Sequence, residues 1–137
     1  FQDKLGVDIK LSLIKDYDIT DKTLILCVKP ANIEIMKLLL HGEAKVVYSV
    51  LAGTSIKKIK SFINTKAIVR SMPNLAASVN YSMTTLTGDI AYKEEAIKLF
   101  SSIGIAHWLS TEKEIDIATA LAGSGPAYLC MVAEALA

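Results

Sequence analysis

The chain has 137 residues, 15 Lys plus Arg against 14 Asp plus Glu, and 52% hydrophobic residues. That length makes one domain the default, and a formal charge of +1 offers no basic footprint to a phosphate backbone, so no nucleic-acid partner is expected. Mean hydropathy is high at +0.39, yet no uncharged apolar stretch reaches the roughly 18 residues of a membrane span, and no membrane partner is expected. Cys27 and Cys130 lie in apolar segments and are expected to be free and buried. With His41 and His107 they show no ligand spacing, so no metal site is expected. The N-terminus carries neither a basic nor an apolar signal region, which makes the cytoplasm the expected compartment. The C-terminus stops at Ala137 inside an apolar helical pattern without a closing residue, as a fragment would.

In chain order, the run 23–28 (Thr-Leu-Ile-Leu-Cys-Val) is too short for a helix and apolar on both faces, which predicts a strand buried in a parallel sheet. Ile33 to Leu40 places Ile33, Met36, Leu39 and Leu40 on one helical face. A second strand is predicted over 45–51, closed by Ala52-Gly53. A helix over 55–63 follows, capped by Thr54 or Ser55, with Ile56, Ile59 and Ile63 inward. A third strand is predicted over 66–70, closed by Met72-Pro73-Asn74. This alternation of strand and helix is the grammar of a doubly wound α/β sheet. Beyond Asn74, a β-prone run over 81–87, a Gly88-Asp89 turn, an amphipathic helix from Lys93 to Ser102 and a strand from Ile105 to Leu109 continue the sheet. From Glu112 the texture becomes helical, interrupted at Ala122-Gly123-Ser124-Gly125 and resumed at Pro126, which places a boundary near Ser110.

Ligands of open α/β sheets bind beyond the carboxyl ends of the strands, so Lys29-Pro30, Ala52-Gly53 and Met72-Pro73-Asn74 are expected to face one crevice. No Gly-x-Gly-x-x-Gly fingerprint occurs in the chain. The joint Ala122 to Tyr128 sets free backbone N–H groups and the Ser124 hydroxyl at a helix start. It reads either as a carboxylate dock or as a close-packed helix joint. Glu112, Glu114 and Asp116 either offset the dipole of the first helix or turn one carboxylate toward a cationic substrate nitrogen. Thr119, inside that helix, is expected to pack or to hydrogen-bond. His107 beside Trp108 reads as a packed neighbour.

Val28-Lys29-Pro30, Ser49 to Thr54, Arg70-Ser71-Met72-Pro73-Asn74 and the stretch Thr119 to Tyr128 together closely resemble pyrroline-5-carboxylate reductases, from about Leu24 to the C-terminus. The resemblance implies a Rossmann-type doubly wound sheet whose N-terminal part precedes this chain. Residues 1–110 would be the later portion of that dinucleotide-binding domain, and 111–137 the beginning of an all-α dimerisation and substrate domain. It further implies hydride transfer from NADPH or NADH to the C=N carbon of 1-pyrroline-5-carboxylate, giving L-proline, in a homodimer or a ring of dimers. By the same resemblance Val28, Lys29, Pro30, Ala52, Gly53, Met72, Pro73 and Asn74 would line the nicotinamide and its ribose. Glu112, Thr119, Ser124 and Gly125 would lie on the substrate side, Glu112 favouring the iminium charge.

The sequence departs from the family in having Ala122 where Ser is usual and Leu75-Ala76 where Thr-Pro often follows the Met-Pro-Asn motif. The resemblance also puts the phosphate loop before Phe1 and a substrate-carboxylate loop after Ala137, so these residues alone are expected to be inactive. Two rival readings are another Rossmann-plus-helical dehydrogenase acting on a keto or hydroxy acid, and a truncated non-catalytic chain whose apolar end associates. The first would want a positioned Lys or His, and none stands out in the helical segment.

Overall fold

The computed structural model describes residues 13–137. Two short strands, β1 (Tyr17–Asp18) and β3 (Leu40–His41), pair in parallel outside the main sheet. The main sheet has five strands in the order β2 (Thr23–Leu26), β4 (Val46–Ser49), β5 (Ile68–Met72), β6 (Ser82–Gly88) and β7 (Gly104–Trp108). β2, β4 and β5 are parallel, so their carboxyl ends share one edge as the apolar runs predict. The helices are α1 (Ile33–Leu39), α2 (Ile56–Phe62), α3 (Lys93–Phe100), α4 (Glu112–Ala118) and α5 (Gly125–Leu136).

The alternation along each strand sorts side chains into two cores. Val47 and Ile68 meet Ile33, Met36, Ile59 and Ile63 of the α1–α2 side, while Val46, Tyr48, Val69 and Leu86 meet Ala96 and Phe100 of α3. Ser55 caps α2, its hydroxyl accepting from Lys58 N at 3.2 Å. Tyr48 is fully buried, sets its ring edge-on to Phe100 at 6.3 Å between centroids, and donates its hydroxyl to Glu95 Oε1 at 2.8 Å. Burial, and then the Glu95 carboxylate, hold the phenol protonated far above its ordinary range. Tyr48→Phe is expected to cost about 1 kcal/mol, because Glu95 is exposed and water replaces the lost donor. Urea melts of the two proteins measure that difference.

β6, whose direction the sequence left open, runs antiparallel to β5, since only residues 73–81 separate them and a parallel return needs a crossover of about a dozen residues. The α3 crossover then returns β7 parallel to β6. Two sequence expectations are corrected. β2 is not buried on both faces: it is one of the two edge strands of the described sheet, and Ile25 is 49% exposed. Both cysteines are free but exposed. Cys27 stands just past the last residue of β2, and Cys130 lies on α5, none of whose residues is buried.

Helices α4 and α5 are joined by a π-helical turn, Thr119–Gly123, rather than by a break at Ala122. The wide turn is closed by Ser124 N donating to Thr119 O at 3.0 Å. Gly123 permits it, since an added Cβ would sit 3.3 Å from Thr119 Cγ2. By length and composition the continuous helical run Glu112–Leu136 is apolar enough to cross a membrane, although Ile115 packs fully buried against the body of the protein. The expectation of no such run treated each charge as a break, whereas a window with one or two charges still meets that criterion.

Candidate active site

The loops after β2, β4 and β5 emerge side by side at the common edge. Val28 is partly buried beneath the loop, while Lys29 and Pro30 are exposed as Pro30 opens a 3₁₀ turn that leads into α1. After β4, Leu51 N donates to Ser49 Oγ and the buried Thr54 hydroxyl donates to Ala52 O at 3.2 Å, which closes the turn on itself. That turn leaves Ala52 and Gly53 exposed, with Gly53 in the left-handed region at φ 61°. A Cβ added at Gly53 would meet nothing within 4 Å, so the turn is bordered by open space.

The third loop is more tightly built. Asn74 N donates to Ser82 Oγ at 3.1 Å, Asn74 Oδ1 accepts from Ala76 N at 3.2 Å, and Asn74 Nδ2 donates to Ala122 O at 2.9 Å. Asn74 thereby connects the sheet edge to the π turn. Met72 lies alongside, its Cγ 4.0 Å from the Cβ position of Gly123. Met72 and Asn74 therefore meet the joint between the helices, in which Thr119, Ser124 and Gly125 lie; these residues and Pro73 are all partly buried.

Thr119 Oγ1 donates to Ile115 O at 2.7 Å, the backward bond that a helix-interior Thr favours. Ser124 Oγ donates to Thr119 O at 3.3 Å. An added Cβ at Gly125 meets nothing within 4 Å, and no acidic residue occupies the first turn of α5. The Cβ position of Gly125 therefore borders open space.

Glu112 is held by groups of the chain itself. Its Oε1 accepts from Arg70 Nη1 at 2.7 Å and from Ile56 N, at the first turn of α2, also at 2.7 Å. The cation it meets is one of the chain's own. Arg70 is 3% exposed in the middle of β5 and also reaches Asp116 Oδ1 at 3.5 Å. The sequence reading missed Arg70, treating it as the end of a strand. The available signal was a charge inside an apolar strand, which needs a partner, and two acids four residues apart on one helical face. Glu114 instead caps its own helix, accepting from Ser110 N and the Thr111 hydroxyl. His107 is exposed on β7.

The described residues have the form of a ligand edge of an open α/β sheet: the loops after three parallel strands share one edge, and a left-handed glycine borders space that a Cβ would enter. Among the described residues no group of His, Cys, Asp and Glu could hold a metal ion.

A sheet with this edge, carried over into a π-jointed helix pair, defines a Rossmann-type α/β chain leading into a helical segment. Residues 112–137 match the family description "Pyrroline-5-carboxylate reductase dimerisation". Pyrroline-5-carboxylate reductase from Synechocystis is 34% identical over 122 residues, covering 85% of this chain and 45% of that protein. The soybean (Glycine max) enzyme of the same name is 37% identical over 120 residues, covering 82% and 43%. Among solved structures, 1-pyrroline-5-carboxylate reductase from Streptococcus pyogenes matches with a TM-score of 0.76 at 33% identity, over 84% of this chain and 46% of that one. The Plasmodium falciparum enzyme, solved with NADP bound, matches with a TM-score of 0.73 at 27% identity, over 84% and 46%. Over most of its own length the chain is similar to pyrroline-5-carboxylate reductases, and it spans about half the length of the curated relatives it matches.

Proposed function

We propose that this chain supplies the nicotinamide side and the first part of the substrate side of a pyrroline-5-carboxylate reductase. The observation that carries the reading is the meeting of the Met72–Asn74 loop with the Thr119–Gly125 joint, sealed by the Asn74 to Ala122 hydrogen bond. A dinucleotide site and a second ligand site are thereby adjacent. Val28, Lys29, Pro30, Ala52, Gly53, Met72, Pro73 and Asn74 would hold the nicotinamide and ribose, and Thr119, Ser124 and Gly125 the substrate. When bound, NADPH or NADH supplies the hydride that reduces the C=N carbon of 1-pyrroline-5-carboxylate.

The chain's own residues orient the reactants and shield them from water. The open space at Gly125 leaves room for the substrate, and the loops fix the nicotinamide against it. A strong acid or base in the chain is not required, because the imine carries its own proton. This is consistent with an edge built mainly of backbone and small side chains.

The boundary between the sheet portion and the helical portion lies, in this reading, near residue 110. Tyr128, Leu129, Met131, Val132 and Leu136 are 56–83% exposed on α5. A second copy of the protein would cover them, in keeping with the dimerisation match. The compartment that suits this reading is the cytoplasm.

The proposal is tested by calorimetric titration of the protein that carries this chain, first with NADPH and then, as the NADPH complex, with L-proline. Both are reduced, so the ternary complex forms without turnover. Saturable binding at both steps is expected, and a folded protein that binds neither contradicts the proposal.

A further inference from the structure

We propose that Arg70 is a positioning residue for hydride transfer: acting through Glu112, it fixes α4 and the Thr119–Gly125 joint in register with the loops that hold the nicotinamide. This inference rests on the reductase reading above and adds a residue to it.

Burial is the first reason. Arg70 is 3% exposed between Val69 and Ser71, and Ile68, on the same face of β5, is wholly buried. A hydrophobic residue would fill such a position without the desolvation that a guanidinium suffers, and exchanging buried ion pairs for apolar groups is often neutral or stabilising. Stability alone therefore gives little reason for an arginine there. Geometry gives a better one.

The guanidinium contacts one helix at two points a turn apart, Glu112 Oε1 at 2.7 Å and Asp116 Oδ1 at 3.5 Å. Two contacts from a rigid fork set both the axial position of α4 and its rotation. The same Glu112 oxygen accepts from Ile56 N at 2.7 Å, so one carboxylate joins β5, α2 and α4. Each of those elements carries one wall of the proposed cleft. α2 follows Ala52-Gly53, β5 leads into Met72–Asn74, and α4 leads into the π turn.

The distances through which the clamp would act are short. Met72 is two strand residues from Arg70, about 7 Å, and Thr119 is three helical residues from Asp116, about 5 Å. A second tether, Asn74 Nδ2 to Ala122 O at 2.9 Å, lies at the far end of the same span. The sheet edge and the joint are thus held at both ends, and the clamp at the Arg70 end is the only charged one among the described contacts between them. Hydride transfer requires donor and acceptor within about 3.5 Å, and a displacement near 1 Å costs on the order of a hundredfold in rate. Loosening the clamp should therefore slow the chemical step while leaving dinucleotide affinity nearly intact.

The test is made in the complete protein with Arg70→Met, Glu112→Gln and the double variant, at a temperature where circular dichroism shows each to be folded. kcat, both KM values and the primary isotope effect with NADPH deuterated at the transferred position are measured. The expected result for Arg70→Met is a kcat lowered roughly 10- to 100-fold, with KM for NADPH within about twofold and a larger isotope effect. Glu112→Gln is expected to lose about tenfold in kcat, and the double variant to be no slower than Arg70→Met alone, since both act through one contact. If Arg70→Met does not fold, the isosteric Glu112→Gln decides by the same readings. Variants that melt earlier but keep the parental kcat and isotope effect would show a purely structural clamp and overturn the proposal. Absence of turnover in the folded parent would overturn the reductase reading beneath it, a result separable from the first.

Discussion

Replacing Gly88 by Ala is expected to destabilise the protein by at least about 4 kcal/mol, lowering Tm by more than roughly 10 °C. Gly88 ends β6 at φ 144°, a region open essentially to glycine alone. A Cβ there would lie 2.2 Å from Ile68 O and 2.8 Å from Val69 Cα, both backbone atoms of the paired strand. No side-chain rotation relieves such a collision, so the ladder between β5 and β6 must part. The next residue holds that pairing from its other side, with Asp89 N donating to Ile68 O and Asp89 Oδ2 accepting from Ile68 N. β5 carries both Arg70 and Met72, so the damage should extend to the candidate site. Differential scanning calorimetry of the variant measures the loss, and a Tm within a few degrees of the parent would show that the two strands are not paired as described.

The second large effect separates glycines kept for folding from glycines kept for a ligand. Gly125 has no positive φ, and an added Cβ meets open space. Within this chain Gly125→Ala is therefore harmless, and by helix propensity it should stabilise by up to about 1 kcal/mol. If substrate occupies that space, the same methyl group should raise KM for pyrroline-5-carboxylate about tenfold, a loss near 1.4 kcal/mol of binding. Gly53→Ala is the counterpart on the dinucleotide side. Its φ of 61° adds about 1 kcal/mol of strain, and KM for the dinucleotide should rise. Steady-state kinetics with each ligand varied in turn read the two effects apart, and unchanged KM values in both variants would empty the proposed cleft.

The parts of the fold that local chemistry dictates were legible. β4 is buried along its whole length inside the sheet, between β2 and β5, and the turn at Ala52-Gly53 follows where the run ends. Thr54 or Ser55 was the expected α2 cap, and the structure gives the hydrogen bond to Ser55. The antiparallel turn of β6 was not legible, because strand direction depends on the length of a connection that mixes loop and 3₁₀ residues. Exposure of Ile25 escaped for a similar reason: an apolar run does not state which neighbours it has.

The site divided along the same line. Pro30, Gly53 and Asn74 could be placed at one edge because strand order and punctuation are written in sequence. The partner of Glu112 could not, since Arg70 lies 42 residues away and only the packing of α4 on β6, beside β5, brings the two together. A charge inside the run Ile68 to Met72 was nonetheless an unanswered question in the sequence. Its answer is that Glu112, through Oε1, joins three elements. The π turn was likewise unreadable, because Ala122 to Gly125 looks like a helix break and only the bond from Ser124 N to Thr119 O shows that the helix widens there instead.

The most direct measurement is oxidation of NADPH and of NADH by the protein that carries this chain, each with and without 1-pyrroline-5-carboxylate. The account predicts oxidation that depends on the imine, with L-proline formed in equal amount to the dinucleotide consumed. A folded protein that oxidises neither dinucleotide in the presence of the imine would contradict it.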